Sequence, residues 1–122
     1  MPATIFTESF ETDGNGTRYT TSVPEFTDGS ADFFLRTDGS DITGTYDVLN
    51  PDGSFYFVVQ DIDGEVPSAT QTLSFSGIDI ANVTNLSFSA LFAEDTASDG
   101  NEDWDLSERF NTRSMGAGLL TC

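Results

Sequence analysis

The sequence contains no histidine and no lysine, and its one cysteine is the last residue, Cys122. Without histidine the chain lacks the commonest general base and the commonest ligand of zinc and copper, which argues against transition-metal chemistry. A lone cysteine can form neither an internal disulfide nor a thiolate cluster, and it leaves the redox compartment open. Basic residues are limited to four arginines, set against 21 Asp plus Glu, for a formal net charge of -17. Such a surface repels phosphate backbones and anionic membranes, so no nucleic acid and no membrane are expected as partners; cations and neutral glycans are tolerated. No apolar run approaches a membrane span, and the opening "MPATIFTESF" has neither the basic region nor the apolar stretch of a signal peptide. An export signal, if the protein is secreted, is expected elsewhere. Acidity with almost no base fits a salty or calcium-rich extracellular setting.

What is present is bulk. The 122 residues suit one domain with its own core, and 37% hydrophobic residues with eleven Phe argue against wholesale disorder. Clusters of Gly, Asp, Asn and Ser recur at "TDGNG", "TDGS", "PDGS", "DIDGE", "FSGID" and "SDGNED", with short runs between them. This is the punctuation of an all-β chain. "TIFTESF" alternates, with Phe6, Glu8 and Phe10 on one side, and "DFFLR" and "SFYFVVQ" are compact aromatic and β-branched runs. "QTLSFSGIDIANV" places Leu73 and Phe75 on one face, with a bulge or turn at Gly77, and "NLSFSALFAED" places Leu86, Phe88, Ala90 and Phe92 on one face with Ser87 and Ser89 opposite. The nearest helical candidate, residues 107–113, has only Phe110 for an apolar face. The fold expected is an antiparallel two-sheet sandwich, jelly-roll-like, with little or no helix. "DGSADFFLRTDG" and "DGSFYFVVQDIDG" echo one another, which reads as shared turn chemistry more readily than as a duplication.

Calcium takes six to eight oxygen ligands from flexible loops, and this chain is rich in them. The stretch "AEDTASDGNEDWD" fails the EF-hand pattern, because Trp104 stands where glycine is needed and Phe110 where the bidentate glutamate should be. Carboxylates also crowd "ESFETD" and "QDIDGE". In a strand, residues two apart share a face, so Asp61 and Asp63 can project together. Glu8, Glu11, Asp61, Asp63, Glu94, Asp95, Asp99 and Asp103 are the candidate calcium ligands; solvated turn acids are the plain alternative for each cluster. Paired carboxylates also serve glycoside hydrolysis, but nothing singles out a buried pair. Trp104, Tyr19, Tyr46 and Tyr56 could stack on a sugar, with core packing the duller account for Tyr56 and Trp104, flanked by Asp103 and Asp105, the best ligand-binding candidate.

Taken together, "IFTESFETDG", "DFFLRTDGS", "FYFVVQDIDGE", "LSFSGIDIANVTNLSFSALFAED" and "DGNEDWD" resemble a β-sandwich module of large secreted bacterial proteins. The opening "F-x-E-S-F-E" is similar to the first strand of jelly-roll modules of the MAM and cleaved-adhesin type. The resemblance covers residues 5–106. It implies a noncatalytic, calcium-stabilised accessory domain for adhesion or carbohydrate recognition at a cell surface, with Glu8 or Glu11 matching the family's cation-ligating glutamate. An accessory domain of an extracellular nuclease or glycosidase and a purely structural spacer are the alternatives. Residues 1–106 are thus expected to form the module. After Leu106, "SERFNTRSMGAGLLTC" changes texture, with two of the four Arg and no strand alternation. Residues 107–122 read as an atypical tail, either a frameshift product, a truncated end or a divergent native segment. Loss of a final strand would leave an unpaired edge open to association.

Overall fold

The computed structural model describes residues 3–28, 32–42, 52–60, 62 and 70–93, together with the backbone of 111–113 and 119–121. The described residues form strands and no helix. The strands are β1 (Thr20–Thr21), β2 (Phe26–Thr27), β3 (Phe33–Thr37), β4 (Tyr56–Gln60), β5 (Leu73–Ser74), β6 (Asn111–Arg113) and β7 (Leu119–Thr121). β2, β3 and β4 make a three-stranded sheet with β3 in the centre, while β1 pairs with β5 and β6 with β7. Every pairing is antiparallel. The expected all-β, antiparallel, helix-free character is what the described residues show.

The run "DFFLR" is apolar at consecutive rather than alternate positions, which suits a strand covered on both faces. β3 is that strand: Phe33, Phe34 and Leu35 are all buried. Its register with β4 sets Phe34 opposite Val59, Leu35 opposite Val58 and Arg36 opposite Phe57. Since successive side chains alternate between faces, the sheet supports two separate clusters. Phe33, Leu35, Val58 and Ile42 form one, with Tyr56 packed against it.

The second cluster is aromatic. The Phe34 ring meets Phe57 edge-on at 5.1 Å and lies 6.3 Å from Phe26. Phe57 in turn meets Tyr19 and Phe10, and Phe10 meets Phe75, which meets Phe6 at 5.8 Å. The T-shaped and tilted angles are those favoured by the ring quadrupole, and each such pair contributes about 0.5–1.5 kcal/mol beyond its burial. These contacts run from β2 across the sheet to the N-terminal segment and the chain just beyond β5.

The turn chemistry is as the sequence predicts. Asp13 Oδ1 accepts the Asn15 amide, and Asp38 Oδ1 accepts both the amide and the hydroxyl of Ser40. Gly77, expected at a bulge or turn, has φ 71, a left-handed conformation, three residues beyond the end of β5. The two echoing runs turn out to be β3 and β4, paired with each other.

Three strand expectations are corrected. The alternating "TIFTESF" joins no ladder, because Arg18 donates to the Thr7 carbonyl and the Phe6 and Phe10 rings dock against aromatics instead. The run from Leu86 to Phe92 is assigned to no strand, and residues 81–93 are exposed. Alternation specifies a two-faced extended chain, but it does not supply the partner edge. The tail, in which no strand pattern is legible, carries β6 and β7, with Thr112 opposite Leu120.

Phe34 is 1% exposed, and its ring bridges Phe26 and Phe57. Phe34→Ala is expected to lower unfolding stability by about 3–5 kcal/mol, read as a fall in the urea midpoint by circular dichroism, with Phe34→Leu losing clearly less.

Candidate functional site

The N-terminal segment carries the two candidate ligands that fall within the described residues, Glu8 and Glu11. Phe10 sits between them in the left-handed region at φ 61. A bulky residue there costs about 1–3 kcal/mol and must be held by its surroundings. Two of the four arginines supply that hold. Arg36, on β3, donates from Nε to the Phe10 carbonyl and from Nη2 to the Glu11 carbonyl at 2.9 Å, and its guanidinium stacks 3.7 Å from the Phe55 ring centre. Arg18 pairs with Glu8 Oε2 at 2.7 Å, donates to the Thr7 carbonyl and lies over Phe6.

Both glutamates are therefore held by the frame. Glu8, with its side chain 7% exposed, takes Arg18 on one oxygen and the Phe10 amide on the other, at 2.8 Å. Glu11 Oε1 accepts the amides of Ser54 and Phe55, each at 2.8 Å. The Glu11 carboxylate lies where a side chain on residue 53 would stand, so Gly53, at φ 102, is needed both for its backbone and for its missing Cβ. Glu11 thus ties the N-terminal segment to the chain entering β4.

A third glutamate, which the sequence gave no reason to single out, does comparable work. Glu25 Oε1 accepts the Tyr19 hydroxyl at 3.0 Å and Asn15 Nδ2 at 2.9 Å, and Oε2 accepts the Arg36 amide at 3.1 Å. It joins the loop before β1 to β3, just beyond the β2 pairing. Its only sequence signal was indirect: in so acidic a chain, the few arginines and buried tyrosines must each find an acid.

The other candidates, Asp61, Asp63, Glu94, Asp95, Asp99, Asp103 and Trp104, lie outside the described residues, as does Tyr46. Among the described residues no three acidic, histidine or cysteine side chains converge as a metal-binding group. Glu11 binds the chain just before β4. Tyr19, one of the tyrosines considered for sugar stacking, is 1% exposed and closed to that role, and Tyr56 packs against the core.

Comparison with protein families, with curated proteins and with solved structures returns no match. The geometry therefore stands by itself. It describes carboxylates that accept from arginine, amide and phenol groups and so hold an aromatic frame together. The Asp38 carboxyl is held below the usual range, first by the Ser40 hydroxyl and then by the Ser40 amide.

Burial pushes the Tyr19 phenol well above its ordinary value, assisted by the hydrogen bond to Glu25 and the charges of Glu25 and Asp13. The unfolded chain therefore loses this proton near pH 10 while the folded chain keeps it. The contribution of Tyr19 to stability is intact below pH 10 and declines as pH rises above it. In an alkaline titration followed by tyrosinate absorbance, one of the three tyrosines is expected to ionise only as the protein unfolds, and Tyr19→Phe is expected to abolish that late phase.

Proposed function

We propose that the chain is a noncatalytic β-sandwich module of jelly-roll type, stabilised by calcium, that serves binding or adhesion outside the cell, with a neutral glycan as the ligand class its charge best tolerates. The observation that supports this reading is the use to which Glu8, Glu11 and Glu25 are put. Each accepts hydrogen bonds that join separate parts of an aromatic β frame, which is the work of a scaffold. Catalysis by paired carboxylates needs one of them free to exchange a proton with a substrate. In this reading the remaining candidates, Asp61, Asp63, Glu94, Asp95, Asp99 and Asp103, supply calcium ligands, and Trp104 offers a stacking face for a sugar. Glu8 is the weakest of the candidate ligands, because it would have to release Arg18 or the Phe10 amide.

Calcium is also the natural counterweight to the net charge of -17. Oxygen-rich loops that repel one another when empty close around a divalent cation, so ion binding and folding are linked.

Thermal melts test the cation. A ligand that binds only the folded state adds about 2.7 kcal/mol at a hundredfold excess over its Kd. Millimolar calcium is expected to raise the melting midpoint by several degrees and a chelator to reverse it, with Asp61→Asn plus Asp63→Asn reducing the gain. An unchanged midpoint would sink the calcium reading. A glycan array tests the ligand class, with binding to neutral glycans lost in Trp104→Ala; no binding across the array would leave a structural spacer.

A further inference from the structure

Asn15 and Gly16 make the one Asn-Gly pair in the sequence. Such a pair can react with itself, because glycine has no side chain to hinder the attack of its amide nitrogen on the asparagine carboxamide carbon. The new C–N bond closes a succinimide ring as the carboxamide nitrogen leaves with a proton as ammonia. Water then opens the ring to aspartate or isoaspartate. The balance is water in and ammonia out, with no oxidant, reductant or enzyme.

The fold keeps both reacting groups occupied. The Gly16 amide, the nucleophile of that step, donates to the Tyr19 carbonyl at 2.8 Å. The Asn15 carboxamide donates from Nδ2 to Glu25 Oε1 at 2.9 Å. Yet Asn15 is exposed to water, and the turn that holds it closes chiefly on one acceptor, the Gly14 carbonyl, which takes the amides of Thr17, Arg18 and Tyr19. Gly16, at φ 81, has nothing within 4 Å of where a side chain would stand. A short turn held by local bonds opens far more often than the whole fold does.

The product cannot close the turn as before. Glu25 Oε1 accepts both Asn15 Nδ2 and the Tyr19 hydroxyl, while Oε2 accepts the Arg36 amide. Conversion to aspartate replaces the Nδ2 donor with an anionic oxygen that faces the Glu25 carboxylate, and like charges at that distance repel. Isoaspartate also routes the main chain through Cβ, which displaces Gly16 from Tyr19. We propose that Asn15 is a self-modification site: the turn from Gly14 to Tyr19 protects it while closed, opening exposes it to irreversible conversion, and the product unlocks the Glu25 junction. The inference does not rest on the calcium or glycan reading.

Because the chemistry is far slower than reclosing, its rate follows the population of the open turn. The full chain is incubated at neutral pH with and without urea, and peptide mapping by mass spectrometry follows amide-to-acid conversion at Asn15, with Asn82, which precedes Val83, as the internal control. Asn15 is expected to convert at least about tenfold faster in urea than in the folded chain, with Asn82 unchanged in both. Glu25→Ala, which removes the acceptor of Nδ2, is expected to raise the rate without urea toward the urea value. Asn15→Asp is expected to lower the urea midpoint further than Asn15→Ala, since it adds a repulsive charge to the loss of a donor. Equal rates with and without urea overturn the proposal. So does a folded Glu25→Ala chain that converts no faster than the unaltered one, or an Asn15→Asp chain as stable as Asn15→Ala. Should Glu25→Ala fail to fold, the urea comparison and the two Asn15 variants decide.

Discussion

The guanidinium of Arg36 reaches across from β3 to the carbonyls of Phe10 and Glu11 while its face rests on Phe55, and much of the packing depends on that grip. Phe10 occupies a left-handed conformation that its side chain disfavours. With the two carbonyls held, the backbone bend is kept, and the Phe10 ring enters the group formed by Tyr19, Phe57 and Phe75. A lysine could not donate to both carbonyls and stack at once, because its ammonium lacks the planar fork.

The rest of the electrostatics follows from scarcity. Four arginines cannot neutralise 21 acids, so the fold uses other donors for its carboxylates. Glu11 takes two backbone amides, Glu25 takes a phenol, a carboxamide and an amide, and Asp38 takes the Ser40 hydroxyl and amide. Bonds to an ionised acceptor are stronger than neutral ones, so Glu11 and Glu25 join distant segments, and Asp38 fixes a turn, without an ion pair among the described residues. This leaves a frame whose aromatic core is closed by its own carboxylates, and an excess of negative charge over the four arginines.

How much of this is legible without coordinates varies by element. The run "DFFLR" announces β3 because a strand buried on both faces must be apolar at consecutive positions, "SFYFVVQ" announces β4 through its aromatic and β-branched residues, and the Asp-Gly turns announce themselves through the local chemistry of the Asx turn. The run from Leu86 to Phe92 has the clearest alternation in the chain and yet forms no strand, because alternation is a property of one segment and a ladder is a property of two. The N-terminal segment departs from its pattern for the opposite reason, since arginine side chains take up carbonyls that a neighbouring strand would have used. Glu8 and Glu11 were visible as a carboxylate cluster. That they are turned toward different partners, Arg18 and the Ser54–Phe55 amides, depends on residues far along the chain.

The sequence by itself determined the all-β class of the fold, the turns at Asp13, Asp38 and Gly77, and the absence of histidine and of an internal disulfide, because each follows from residue type or from neighbours a few positions apart. Only the tertiary structure decided which acids serve the frame, that Tyr19 is buried against Glu25, and that residues 86–92 are left in water. Those outcomes turn on contacts between segments distant in the chain, such as the 43 residues that separate Glu11 from Ser54, and local periodicity carries no information about which distant donor will meet which acceptor.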